Sequence, residues 1–112
     1  MDFEFKKGIL FVRINGIFVS SKIKDFENEI LPIILGLNVK NVTINLKDTV
    51  LIDKNGINSL IKISSITHKN DGKTVICNIN DNIKDTIKNS DLFDYCFKSK
   101  TELSSIGVFS LW

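Results

Sequence analysis

The chain predicts an α/β fold: a mixed sheet with an antiparallel N-terminal hairpin and a parallel remainder, packed with helices. Three observations lead there. The segments "FEFKK" and "ILFVRING" carry strand-like apolar residues around Lys7 and Gly8, and two strands joined that tightly must pair antiparallel. From residue 20 onward, strand-like and helix-like segments alternate, which forces parallel pairing through crossovers. The hydrophobic content of 43% and charged content of 25% are those of a globular protein. A length of 112 residues is enough for one core, so residues 1–112 read as a single domain.

In the opening hairpin Phe3 and Phe5 alternate with charge, and Asn15-Gly16 ends the second strand. Ser20 or Ser21 then offers a hydroxyl to cap a helix. Ile23, Phe26, Ile30 and Ile34 recur at helical spacing and form its buried face. Pro32 removes a backbone donor inside it, so a kink or an early end near Ile30 is expected. "NVTINL", residues 41–46, is a clean alternating strand with Val42, Ile44 and Leu46 on one side. The apolar run "TVLI" stops at Ile52, and beyond it Ile57, Leu60, Ile61 and Ser64 line a second helix running to Lys69. Asn70-Asp71-Gly72 turns the chain into the strand "KTVICNI". Asp81 caps a short helix through Ile83 and Ile87, "YCF" makes a last strand, and "KTELSSIGVF" a last helix with Leu103, Ile106 and Phe109 inward. Ile44, Leu46, Ile52, Ile61, Val75 and Cys77 are expected in the core.

Composition excludes several classes of function. A net charge of +2, with lysines scattered among nearly as many acids and Arg13 the sole arginine, does not advertise nucleic acid. "ILPIILGLNV" is far shorter than the roughly 20 apolar residues of a membrane span, so no membrane insertion is expected. The start "MDFEFKKGIL" lacks the order of a signal peptide, which points to a cytoplasmic protein. The absence of alanine and glutamine, beside abundant Ile, Asn and Lys, reads as the codon bias of an AT-rich bacterial genome. Cys77 and Cys96 lie in apolar runs without CxxC spacing, as reduced core thiols do.

Catalytic constellations are weak. Ser64 and His68 share a helix face, but nothing nearby supplies an oxyanion hole or an orienting acid. Asp48 and Asp53, with Lys54 beside them, read as solvated turns and not as a magnesium site. "KNDGKT" has the letters GKT without the glycine spacing of a phosphate loop. No catalysis, metal or cofactor is expected.

The candidate site is the polar knot Asp53, Lys54, Asn55 and Gly56, set between a strand and a helix. In open α/β sheets that edge is where ligands and partners are met, and a helix start favours negative charge. The same residues also make an ordinary helix cap and tight turn.

The segment "VTINLKDTVLIDKNGINSLIKI" resembles the core of STAS domains, typified by bacterial anti-sigma factor antagonists: an apolar strand, a short loop, Asp-Ser-Ser/Ala-Gly and an amphipathic helix. "KKGILFVRINGIF" is similar to the family's opening hairpin, and "GKTVICNINDNIKDTIKNSDLFDYCFKSKTEL" to its later strand, short helix, Leu-Phe turn and final helix. Asp53 and Gly56 match the motif Asp and Gly. The residue before that glycine is the phosphorylated Ser or Thr in switched members, and here it is Asn55, which has no hydroxyl. Lys54 replaces a residue that is normally small, and Gly16-Ile17-Phe18-Val19 lacks the acid often found there in the family. The resemblance implies a non-catalytic protein-binding module docking through residues 53–56 and the start of the next helix, including Ser59. The implied partner is an anti-sigma factor kinase of the histidine-kinase ATPase fold. Alternatives are a scaffold subunit of a stress-signalling assembly and an accessory subunit of a lipid-transport ATPase. Thr49 and Ser59 are the hydroxyls nearest to Asn55 in sequence.

Overall fold

Lys7 and Gly8 both adopt positive φ (53° and 80°), as a two-residue turn matching strand twist requires. They fold β1 (Asp2–Lys6) back onto β2 (Ile9–Arg13) in register in the computed structural model, which describes residues 1–110. β2 then pairs in parallel with β4 (Asn41–Asn45), β4 with β6 (Lys73–Cys77), and β6 with β7 (Phe97–Lys98). The five-stranded sheet has the order β1-β2-β4-β6-β7, antiparallel only at the hairpin. The mixed sheet predicted from the sequence is present.

Two further strands leave this sheet. β3 (Gly16–Phe18) and β5 (Thr49–Ile52) form their own parallel ribbon. Its register shifts between Gly16 and Ile17, so the ribbon carries an irregularity at its start. The run "TVLI" is thus a strand, but of the ribbon and not of the main sheet.

α1 (Ser20–Gly36) and α2 (Lys54–Lys69) pack together over the face lined by Leu10, Val12, Val42, Ile44 and Ile76. The short helices α3 (Lys84–Lys88) and α4 (Leu92–Tyr95) add Ile87 and Leu92 to that core. α5 (Glu102–Phe109) lies on the opposite face, where Phe109 meets Ile9, Phe11 and Val75. Five of the six expected core residues are buried: Ile44, Leu46, Val75 and Cys77 fully and Ile52 nearly so. Ile61 is only partly buried, because the inward stripe of α2 runs through Leu60, Ile63, Ser64 and Thr67. Cys77 and Cys96 are free thiols in the apolar interior, and burial pushes both up to about 12.

Several local expectations are corrected. α1 passes through Pro32 without ending, anchored on both sides of it by the buried Ile30 and Ile34. Pro32 itself is exposed, so water can serve the carbonyl that lost its donor. Neither Ser20 nor Ser21 caps α1; Val19 holds that position without a side-chain bond. Asp81 caps nothing, since α3 begins behind Ile83. Tyr95 belongs to α4, leaving β7 only Phe97 and Lys98. α5 is rotated from the expected setting: Ser105 and Phe109 face inward, while Leu103 and Ile106 are 79% and 44% exposed.

Candidate functional site

β5 ends at Ile52 and α2 begins at Lys54, leaving Asp53 at the junction in extended conformation. Its Oδ1 accepts the Gly56 N–H at 2.9 Å, which caps α2. Its Oδ2 accepts both the backbone N–H and the hydroxyl of Ser20, each at 3.0 Å. One carboxylate therefore serves the first turns of α1 and α2 together. The Gly56 N–H chiefly, followed by the Ser20 donors, holds this carboxyl below the usual carboxylate range against the opposing effect of desolvation.

Gly56 is buried and has no room for a side chain. A Cβ there would overlap the carbonyl oxygen of Phe18 and come within 2.9 Å of both the Ile52 and Phe18 side chains. The glycine lets α2 start against β3, and this close approach fixes the path of the loop.

The knot divides into residues that build it and residues that it displays. Lys54 and Asn55 project into solvent on the first turn of α2, followed by the exposed Asn58. Asp53 is half-buried and Gly56 buried. Ser59 is also buried, and its hydroxyl donates to Glu27 at 2.6 Å. Lys62 donates to the same carboxylate at 3.0 Å. Burial alone would raise the Glu27 carboxyl, but the Ser59 and Lys62 donors more than offset it and hold it low. Thr49 is equally committed: it is fully buried and donates to the Ile14 carbonyl at 2.7 Å. Neither neighbouring hydroxyl is presented to an approaching enzyme.

Beside the knot lies an open polar groove between α1 and α2, of about 400 Å³, lined among others by Lys24, Glu27, Asn55, Asn58 and Lys62. On the other side the ribbon exposes apolar surface: Ile17, Val50 and Leu51 are each about half accessible, and Ile17 stands opposite Leu51. Sequence reasoning missed Ser20 and Glu27 as parts of this site. Ser20 carried only a capping signal, and Glu27 is brought to Ser59 by the packing of α1 on α2, across 32 positions of sequence.

The other candidates do not assemble. Ser64 is buried and donates to the Ile61 carbonyl, while His68 is exposed. Among the described residues no three His, Cys, Asp or Glu side chains form a group suited to a metal ion.

The model of the STAS domain family matches residues 1–105. The chain belongs to the STAS domain family. Solved structures with a similar fold include a Thermotoga maritima protein classed among anti-sigma factor antagonists, at 11% identity and TM-score 0.88, covering 96% of this chain and 92% of that one. The Bacillus cell fate determinant SpoIIAA in its phosphorylated form is similar at 16% identity and TM-score 0.72, with 96% of each chain covered. A chain of the stressosome, a signal integration and transduction hub, is similar at 17% identity and TM-score 0.71, over 99% of this chain and 100% of that one. A comparison of the sequence with curated proteins found no match. Within this STAS domain no helix among the described residues is long and apolar enough to cross a membrane.

Proposed function

We propose that this STAS domain is a non-catalytic regulatory module that binds a protein partner through the loop at Asp53–Gly56 and the first turn of α2. Lys54 and Asn55 touch the partner, while Asp53, Gly56 and Ser59 hold the surface in shape. The carrying observation is that α2 opens with exposed Lys54, Asn55 and Asn58 beside exposed Ile17, Val50 and Leu51. Protein interfaces combine an apolar patch with a polar rim in this way. The partner is an anti-sigma factor kinase of the histidine-kinase ATPase fold. Likeness to anti-sigma factor antagonists supports that choice.

The docking carries no phosphate switch. Asn55 is a carboxamide on a displayed turn, and the buried Thr49 and Ser59 hydroxyls are already hydrogen-bonded. Phosphorylation would bring nearly two negative charges and change what can dock; with no hydroxyl at position 55 the first turn of α2 stays in one state. A scaffold role in a stress-signalling assembly is the second reading, supported by the stressosome chain that matches over its full length.

The test is affinity capture from the native cell extract with identification of the bound protein, then titration of that protein against Lys54→Glu. Recovery of an ATPase-fold anti-sigma factor is expected, with affinity lowered at least tenfold (about 1.4 kcal/mol) and an unchanged melting temperature. Equal affinity for variant and wild type would remove the loop from the interface. With ATP and the recovered kinase, wild type should take up no phosphate and Asn55→Ser should gain an acceptor.

A further inference from the structure

We propose that the outer edge of β1 pairs with β1 of a second copy, joining two sheets into one continuous sheet about a twofold axis at Glu4. β1 is a terminal strand of the main sheet, and among the described residues nothing pairs along its outer side. Its five residues are matched one for one with β2, so no bulge turns the edge away. An edge of this kind is a ready template for another strand.

Which backbone groups face outward follows from the turn. Lys6 and Ile9 flank the two-residue turn and make its closing hydrogen-bonded pair, as in other hairpins of this length. Alternation then directs the backbone groups of Glu4 and Asp2 toward β2 as well. The N–H and C=O groups of Phe3 and Phe5 point to the open edge.

The strand "DFEFK" is complementary to itself in antiparallel orientation. With the axis at Glu4, Phe3 of each copy faces Phe5 of the other, so the outward backbone groups meet as hydrogen-bonded pairs. Asp2 of each copy faces Lys6 of the other, and both residues are exposed. Phe5, 49% exposed in the single chain, gains an aromatic neighbour across the join. The two Glu4 carboxylates meet at the axis, but each already accepts from its own Arg13 at 3.2 Å. That guanidinium also donates to Asp2 and Glu102, at 3.1 Å and 2.8 Å.

Registers that keep outward groups opposite outward groups move in steps of two. Moving the axis to Phe3 sets Asp2 against Glu4, which repels. Moving it to Phe5 runs Phe3 into Lys7, whose positive φ has left the strand conformation. Only the axis at Glu4 retains all five residue pairs while setting Asp2 against Lys6 at both ends.

A ribbon of this length buries less than the roughly 1,200 Å² that marks the low end of stable interfaces. The dimer is therefore reversible, and sedimentation velocity over a rising concentration series is the measurement. Wild type is expected to shift from monomer toward dimer. Lys6→Asp sets like charges opposite one another twice and should weaken association about tenfold. Adding Asp2→Lys restores the complementarity and should recover it. Phe5→Pro removes an outward N–H without costing a bond to β2 and should leave a monomer, with circular dichroism confirming that the fold is kept. Lys54→Glu, in the partner-docking loop, should leave self-association unchanged. A wild type that stays monomeric throughout overturns the proposal. So does a dimer indifferent to Lys6→Asp and Phe5→Pro, or a charge swap that fails to rescue.

Discussion

Asp53 shows how one side chain can be read correctly and still be underestimated. Its position before an apolar helical pattern announces a cap, and it caps α2 through Gly56. Its second oxygen, bound to Ser20, ties in the start of α1, and no local pattern could announce a contact formed 33 positions away. Gly56 was legible as a residue needing freedom, but the reason lies in space and not in conformation. Its φ is not positive; the backbone of Phe18 occupies the place of a side chain. Gly56→Ala is therefore expected to force the start of α2 away from β3. A cost of about 1–3 kcal/mol, typical of overpacking, should appear in urea denaturation. A neutral or stabilising result, as replacement of an unstrained helical glycine would give, would contradict the close approach.

Elements whose identity rests on long periodic patterns were legible: the hairpin, β4, β6, α1 and α2 all form where alternation or helical spacing places them. Failures fall where tertiary contact sets an orientation. In α5 the apolar residues Leu103 and Ile106 suggested an inward face. The helix is instead fixed by Glu102, which accepts from Arg13 and Asn45, and by Ser105, whose hydroxyl bonds Thr43 at 2.9 Å. A small inward serine lets the helix lie close to the sheet, and the larger residues turn outward. β7, at two residues, is too short for any periodicity to reveal its limits. Pro32 is the reverse case, a strong breaker overridden by the packing of Ile30 and Ile34. Its cost persists inside the helix. Pro32→Ala is expected to stabilise the protein by about 1–3 kcal/mol, since an interior proline costs about 3 kcal/mol and an exposed site leaves part of that to recover. Thermal denaturation would show it, and an unchanged melting temperature would mean that the helix has fully accommodated the ring.

At the scale of the whole molecule, three carboxylates join elements that the chain order keeps apart. Asp53 links α2 to α1, Glu27 links α1 to α2 at a second point, and Glu102 links α5 to β2 and β4. All three are held below the ordinary carboxylate range. For Glu102 the leading cause is the Arg13 hydrogen bond, with burial opposing and Asn45 assisting. The sign of the pH effect follows. Unfolded carboxylates titrate near their reference values of about 4, whereas the folded ones release protons at lower pH. Between those limits the unfolded chain binds more protons, so stability rises with pH. The contribution is complete above the unfolded values and lost as pH falls through the folded ones. The melting temperature should therefore be level near neutrality and decline below about pH 4.5. Glu102→Gln removes the ion pair with Arg13 but keeps an acceptor for Asn45. It should lower the melting temperature at neutral pH and narrow the gap to wild type as the medium is acidified, because the wild-type carboxylate is then protonated as well. A gap of constant size across the acid limb would show that this carboxylate makes no pH-dependent contribution to joining α5 to the sheet.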